Sequence, residues 1–221
     1  MTDEFIREVD DEYRRDQIAR MWRRHGVLIV SLAVLLVGAV GGWRYWQHVE
    51  AQRSQAAAVR FEDAVLQSRA SKSDEAETML RSLAGEAPAG YRLLARFRLA
   101  AEIGQGGSEA GAKAYDALAA DGSIDAPLRD LARLHAASLR LDTGEASSGL
   151  SELERIAVPA NSWRHSAREL LGLAALKRGD LDAAGRWFDQ VAADRDTPQN
   201  LRARLEIYTA LAAGGSVPTT Q

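Results

Sequence analysis

The sequence predicts an all-α chain, with one amino-terminal transmembrane helix followed by a solenoid of antiparallel helix pairs. Three observations carry that expectation. From His25 to Trp43 there is no formally charged residue. Behind that run, a pattern of one small and two large apolar residues recurs four times at near-constant spacing. The same region is rich in Ala, Leu, Arg and Glu and lacks the alternating Val/Ile/Thr pattern of a half-buried strand.

Composition narrows the function classes. With 46% hydrophobic and 27% charged residues in 221, the chain has the makeup of a folded domain. Its 28 Lys+Arg against 31 Asp+Glu leave a net charge of -3, and only 6% of residues are aromatic. Neither a basic field for a phosphate backbone nor a stacking platform is present, so no nucleic-acid partner is expected. The absence of cysteine excludes disulfides, thiolate metal sites and a cysteine nucleophile.

The first element, residues 1–25, is a tail with seven acids, in which Phe5, Ile6, Val9, Tyr13 and Ile18 suggest an amphipathic helix. Residues 26–46 follow as the transmembrane helix. At 1.5 Å per residue they span about 31 Å, close to one hydrocarbon core. A cleaved leader is the competing reading, and three features oppose it: the long acidic segment in front, an apolar run longer than a leader needs, and Trp43-Arg44-Tyr45-Trp46 where a small-residue cleavage site belongs. Trp43, Tyr45 and Trp46, with Arg44 among them, suit a membrane interface, where a ring with a polar handle meets the headgroups. Arg14, Arg15, Arg20, Arg23 and Arg24 precede the span, whereas Arg44, Arg53 and Arg60 follow it. That excess favours a cytoplasmic amino terminus. In a bacterial cell the rest of the chain then faces the periplasm.

Residues 47–214 form the repeat region, about four helix pairs plus a closing helix, with 215–221 left as a carboxy-terminal tail. The recurring triplets are Ala76/Leu80/Leu83, Gly111/Tyr115/Leu118, Gly149/Leu153/Ile156 and Ala184/Phe188/Val191. Positions i, i+4 and i+7 share one helical face, where the small residue admits a neighbouring helix and the large ones fill the space beside it. Gly106, Gly144 and Gly179 each stand five residues before a small position, as left-handed helix ends would. Pro88, Pro127, Pro159 and Pro198 recur at spacings in the thirties. The pattern places first helices near 47–69, 90–104, 127–142 and 162–178. Second helices fall near 73–84, 108–120, 146–157 and 181–194, and a closing helix over 198–213 covers the last apolar face.

The fourth unit carries Leu171-Gly172 and Ala175 on its first helix, Gly179-Asp180 in the turn, then Ala184, Phe188 and Val191, with Pro198 closing it. This resembles a tetratricopeptide repeat. The order of parts extends the likeness: an acidic tail, one apolar span ending in Gly42-Trp43-Arg44-Tyr45-Trp46, Tyr91-Arg92-Leu93-Leu94-Ala95 opening the second pair, and repeats directly behind the span. Together these resemble the ancillary subunit family of the bacterial Sec (SecYEG) translocon. The resemblance implies a single-pass inner-membrane protein without catalytic activity. It further implies that periplasmic repeats work with translocon subunits and periplasmic chaperones on newly exported chains. A general envelope scaffold or assembly factor, unrelated to export, is the alternative that the same repeats would serve.

No polar constellation points to chemistry, and no cofactor or small-molecule substrate is expected. His25, His48, His135 and His165 have no metal-ligand spacing. Asp74/Glu75, Glu152/Glu154 and Asp180/Asp182 read as acids opposing the positive ends of helix dipoles. Gly104-Gln105-Gly106-Gly107 reads as a turn, and Gly38-x-x-x-Gly42 as a weak helix-contact motif. Arg92, Arg96 and Arg98, with Arg164 and Arg168 on the corresponding later helix, form either a basic stripe for acidic peptide termini or an ordinary solvated face in which Arg98 pairs with Glu102. Arg96 and Arg168 are the candidate partner-binding residues.

Overall fold

The computed structural model describes residues 2–142 and 149–213, and every element among them is helical. Gly144 and the tail 215–221 lie outside the described residues. The helices are α1 (Thr2–Arg69), α2 (Ser73–Glu86), α3 (Ala89–Gly106), α4 (Ser108–Ala120), α5 (Ala126–Asp142), α6 (Leu150–Ile156), α7 (Arg164–Lys177), α8 (Leu181–Ala193) and α9 (Gln199–Ala212). Two compact units divide the chain, Met1–Gln55 and Ala56–Gln221.

In the first unit α1 begins at Thr2 and continues unbroken through the expected tail and span, a stretch without proline. The helix is long and apolar enough to cross a membrane. Val27, Leu28, Leu32, Leu35, Val37 and Val40 are all exposed. Among the described residues these apolar side chains are not covered by protein, the character of a lipid-facing segment.

In the second unit the apolar faces close in overlapping clusters, each drawn from three successive helices. Ala57 and Ala64 of α1 meet Leu80 and Leu83 of α2 and Ala95 of α3. Ala100, Tyr115, Leu118, Ala132 and Ala136 join α3, α4 and α5. Leu134, Ala137, Leu153, Ile156, Ala167 and Leu171 join α5, α6 and α7. Finally Ala175, Ala184, Phe188, Val191, Leu201 and Leu205 join α7 and α8 to α9. No pair buries its apolar face alone, which is the packing logic of a repeat array.

Close crossings depend on residues without bulk. Gly172 on α7 lies under the Phe188 ring of α8, where an added Cβ would stand 2.3 Å from Cε1. Gly111 on α4 meets Gly104 on α3, and its Cβ would stand 2.4 Å from the Gly104 Cα. Gly104 is therefore a helix-crossing residue inside α3 and not part of a turn. The turn falls at Gly107, whose backbone is extended.

Helix ends differ from expectation at two glycines. Gly179 does take the left-handed conformation, with φ 74°. Asp180 N–H donates to Ala175 O at 3.0 Å and Gly179 N–H to Leu176 O at 3.0 Å, so α7 ends in a Schellman cap. Gly106, by contrast, is the last residue of α3, and its φ is not in the left-handed region. Among the described residues the other left-handed glycine is Gly149, with φ 80°, which caps the start of α6. An added Cβ at Gly149 would meet nothing within 4 Å, so it forms a turn where the other small positions form a crossing.

Replacing Gly172 by valine should drive side-chain atoms into the Phe188 ring and lower stability by about 2–3 kcal/mol. Gly185→Ala, which meets no atom within 4 Å, should be neutral or slightly stabilising. Thermal melts of the two variants followed by helical circular dichroism would check both.

Candidate interaction surface

Apart from Gly149, the triplet residues lie in the interior of the array, together with Leu171 and Gly172. Ala76, Leu80, Leu83, Tyr115, Leu118, Leu153, Ile156, Leu171, Ala184, Phe188 and Val191 are buried, as are Gly111 and Gly172. They hold the scaffold. A binding surface must therefore come from side chains that this scaffold leaves outside.

The arginines are the obvious candidates, and their placement is regular. Arg92 on α3 donates through Nε and Nη2 to the Ala87 carbonyl, at 3.2 and 3.1 Å, just past the end of α2. Arg133 on α5 donates to Ala119 O in the last turn of α4, at 3.3 Å. Arg168 on α7 donates through Nε to Ala157 O past the end of α6, at 2.9 Å. Arg202 on α9 donates to Asp194 O and Arg195 O past the end of α8, at 3.3 and 2.9 Å. At all four junctions an arginine from the following helix satisfies carbonyls at the negative end of the preceding one.

Ion pairs reinforce the same seams. Arg96 Nη2 lies 2.7 Å from Asp121 Oδ2. Hydrogen bonds from the Ser123 hydroxyl and amide, followed by the Arg96 interaction, hold the Asp121 carboxyl down at about 2. Arg164 reaches Asp194 at 2.8 Å and Asp196 at 2.9 Å, His165 Nε2 lies 3.0 Å from Asp194, and Arg168 Nη1 lies 3.6 Å from it. The Arg164 hydrogen bond is the main reason that the Asp194 carboxyl titrates far below its ordinary range. Arg204 grips Glu169 with both Nε and Nη2 at 3.0 Å, a fork matched to a carboxylate.

The structure does not assemble Arg96 and Arg168 into one open stripe. Arg168 is only 7% exposed, and both guanidinium groups are engaged within the array. Arg98 and Glu102 also depart from the solvated-face reading. Glu102 is 1% exposed, and its Oε2 accepts from Ser68 Oγ at 2.7 Å and from Gln105 Nε2 at 3.3 Å, with Arg98 Nη2 at 3.4 Å. This buried cluster ties α3 to the last turn of α1.

The remaining candidates are quickly placed. Asp74 and Glu75 stand in the first turn of α2, Glu152 in that of α6, and Asp182 in that of α8. Asp180 caps α8 by accepting from the Ala183 amide at 3.0 Å. His135 stacks on Tyr115 with ring centroids 4.9 Å apart, and desolvation lowers its pKa. No group of acids and histidines able to hold a metal ion occurs among the described residues. Surface recesses are open: one of about 270 Å³ lies along Arg92, Arg96 and Asp125, and another of about 440 Å³ along Asp116, Arg133 and Glu152. In the first unit Trp43, Tyr45 and Trp46 are exposed together with Arg44, and the two indoles lie 5.6 Å apart.

Comparison with known proteins adds a family and relatives. Residues 20–209 match the tetratricopeptide repeat-like domain family. Over 202 residues the chain is 25% identical to a Haemophilus influenzae protein named Ancillary SecYEG translocon subunit, covering 90% of this chain and 97% of that one. Proteins of the same name from Aggregatibacter actinomycetemcomitans and Escherichia coli K12 are 25% and 26% identical, covering 82% and 81% of this chain. They are covered over 88% and 86% of their own lengths. No solved structure matches the chain at a significant level.

Two measurements probe the seams. Arg168→Met should cost about 1–3 kcal/mol, since it removes the donor to Ala157 O and one cation beside Asp194. Exposed Arg186→Met should change stability by no more than about 0.5 kcal/mol. The second measurement is pH dependence. Because folding depresses the Asp121 carboxyl from 3.8 to about 2, its contribution is present above 3.8 and is lost as pH falls toward 2. Denaturant titrations over that range should show the loss for the native chain and a flatter response for Asp121→Asn.

Proposed function

We propose that this chain, which belongs to the tetratricopeptide repeat-like domain family, is a non-enzymatic accessory protein of the Sec translocon in the bacterial inner membrane. In this reading residues 1–25 are a cytoplasmic tail and residues 26–46 the single span, with Trp43 to Trp46 at its outer interface. Residues 47–214 are a periplasmic binding domain, and 215–221 its tail. The repeats bind partner proteins and link newly exported chains to periplasmic chaperones.

The observation that carries the reading is the order of parts. One exposed apolar helix stands in front of a repeat array, and near full-length relatives bear the name Ancillary SecYEG translocon subunit. The physical chemistry supports a binding role. A repeat array presents a long surface without needing a deep pocket. Cationic and anionic side chains along its seams are engaged in internal pairs that position the helices.

Replacing residues 26–46 with an unrelated apolar helix tests the reading. With the native span, mild-detergent purification after brief crosslinking should enrich translocon subunits and periplasmic chaperones, and the exchanged span should lose the translocon subunits. Retention with the exchanged span, or recovery of division or outer-membrane assembly factors in their place, would point to the general envelope scaffold.

A further inference from the structure

The apolar run has an aromatic side chain at its amino-terminal end as well. Trp22 is 57% exposed. It lies along the backbone over Gly26, where an added Cβ would stand 3.6 Å from Cδ1, Cδ2 and Cε2. A β-carbon at that distance is in ordinary van der Waals contact, so the indole rests against this turn of the helix without depending on the glycine. At the other end Trp43 is exposed and paired with Trp46. Trp22 and Trp43 are 21 residues apart, about 31 Å along a helix, against a hydrocarbon core of about 30 Å.

We propose that Trp22, seated over Gly26, is a second lipid-headgroup anchor, so that Trp22 and Trp43 mark the two faces of the bilayer and fix the depth of the helix between them. This deepens the membrane-span reading and rests on it. The chemistry is that of an indole at a lipid surface: the ring is too large and too polar at its N–H for the hydrocarbon, yet too apolar for bulk water. One such anchor resists movement of the helix toward either side only weakly. Two anchors at the hydrocarbon spacing resist both directions, because a shift that buries one indole pulls the other into water. Arg20, Arg23 and Arg24 accompany Trp22 in the sequence and Arg44 accompanies Trp43, so each aromatic end also has cations for the phosphate layer.

Depth-dependent fluorescence quenching tests the assignment on the full chain in phosphatidylcholine vesicles carrying nitroxides at the headgroup, the upper acyl chain or the bilayer centre. The signal of each anchor is the emission lost in Trp22→Phe or Trp43→Phe, which leaves Trp163 and Trp187 of the repeats untouched. Both signals should be quenched several-fold more by the shallow nitroxides than by the central one. If Trp43 is quenched but Trp22 is not reached from any depth, the second anchor is wrong while the span stands. If Trp22 is quenched most from the bilayer centre, the register is wrong. If neither is quenched, the span itself is wrong.

Discussion

Every helix in the array must bury its apolar face against neighbours on either side, and this is geometrically possible only where residues without bulk stand at the crossings. Gly172 under Phe188 and Gly111 against Gly104 bring backbones or rings to distances that a single Cβ would violate. Alanines do the same work elsewhere: Ala64, Ala76, Ala95, Ala112, Ala132, Ala167, Ala174 and Ala184 are fully buried. Full burial of a side chain such as Phe188 contributes about 1.5–3 kcal/mol, but only if α7 can approach closely enough to cover it. Stability is therefore distributed along the array in small clusters, each needing the next helix to complete it.

Arginine chemistry follows from that architecture. Stacking one pair on the next leaves carbonyls at each second-helix end with no partner inside their own helix. Arg92, Arg133, Arg168 and Arg202 supply donors to these carbonyls, and Asp121, Asp194 and Glu169 neutralise neighbouring guanidinium groups. The high arginine content is in this way tied to joining repeats. Guanidinium suits the task better than ammonium because its planar fork can meet a carbonyl and a carboxylate at once, as Arg168 does with Ala157 O and Asp194.

Periodic packing was legible in the sequence because burial repeats with the helix: Ala76/Leu80/Leu83 and Ala184/Phe188/Val191 announce a face at i, i+4, i+7 and both lie buried. The uncharged run announced itself by length. Three features could not be read in the same way. Gly149 and Gly172 both sit in small-residue registers, yet one supplies a left-handed turn and the other a crossing, a distinction made by backbone conformation and not by residue type. Glu102 four residues after Arg98 has the spacing of an exposed pair, and only the arrival of Ser68 from α1 makes it a buried one. The arginine contacts to Ala87, Ala119 and Ala157 end on backbone carbonyls, which carry no residue signature at all. Trp22 joins these: its distance from Trp43 was readable, but its seating over Gly26 was not.

The chain joins an exposed, mainly apolar helix to repeats whose seam arginines and acids are engaged in internal pairs. In the proposed function, the apolar helix itself brings the repeats to the translocon. The most direct measurement is photo-crosslinking in living cells, with the reactive group placed at Leu35 or Val37 of the span and at exposed Leu94 of the array. Adducts of translocon membrane subunits are expected from the span positions and of periplasmic proteins from Leu94, if the proposed function holds. Span positions that yield no translocon adduct while Leu94 reaches cell-wall or outer-membrane assembly factors would contradict it.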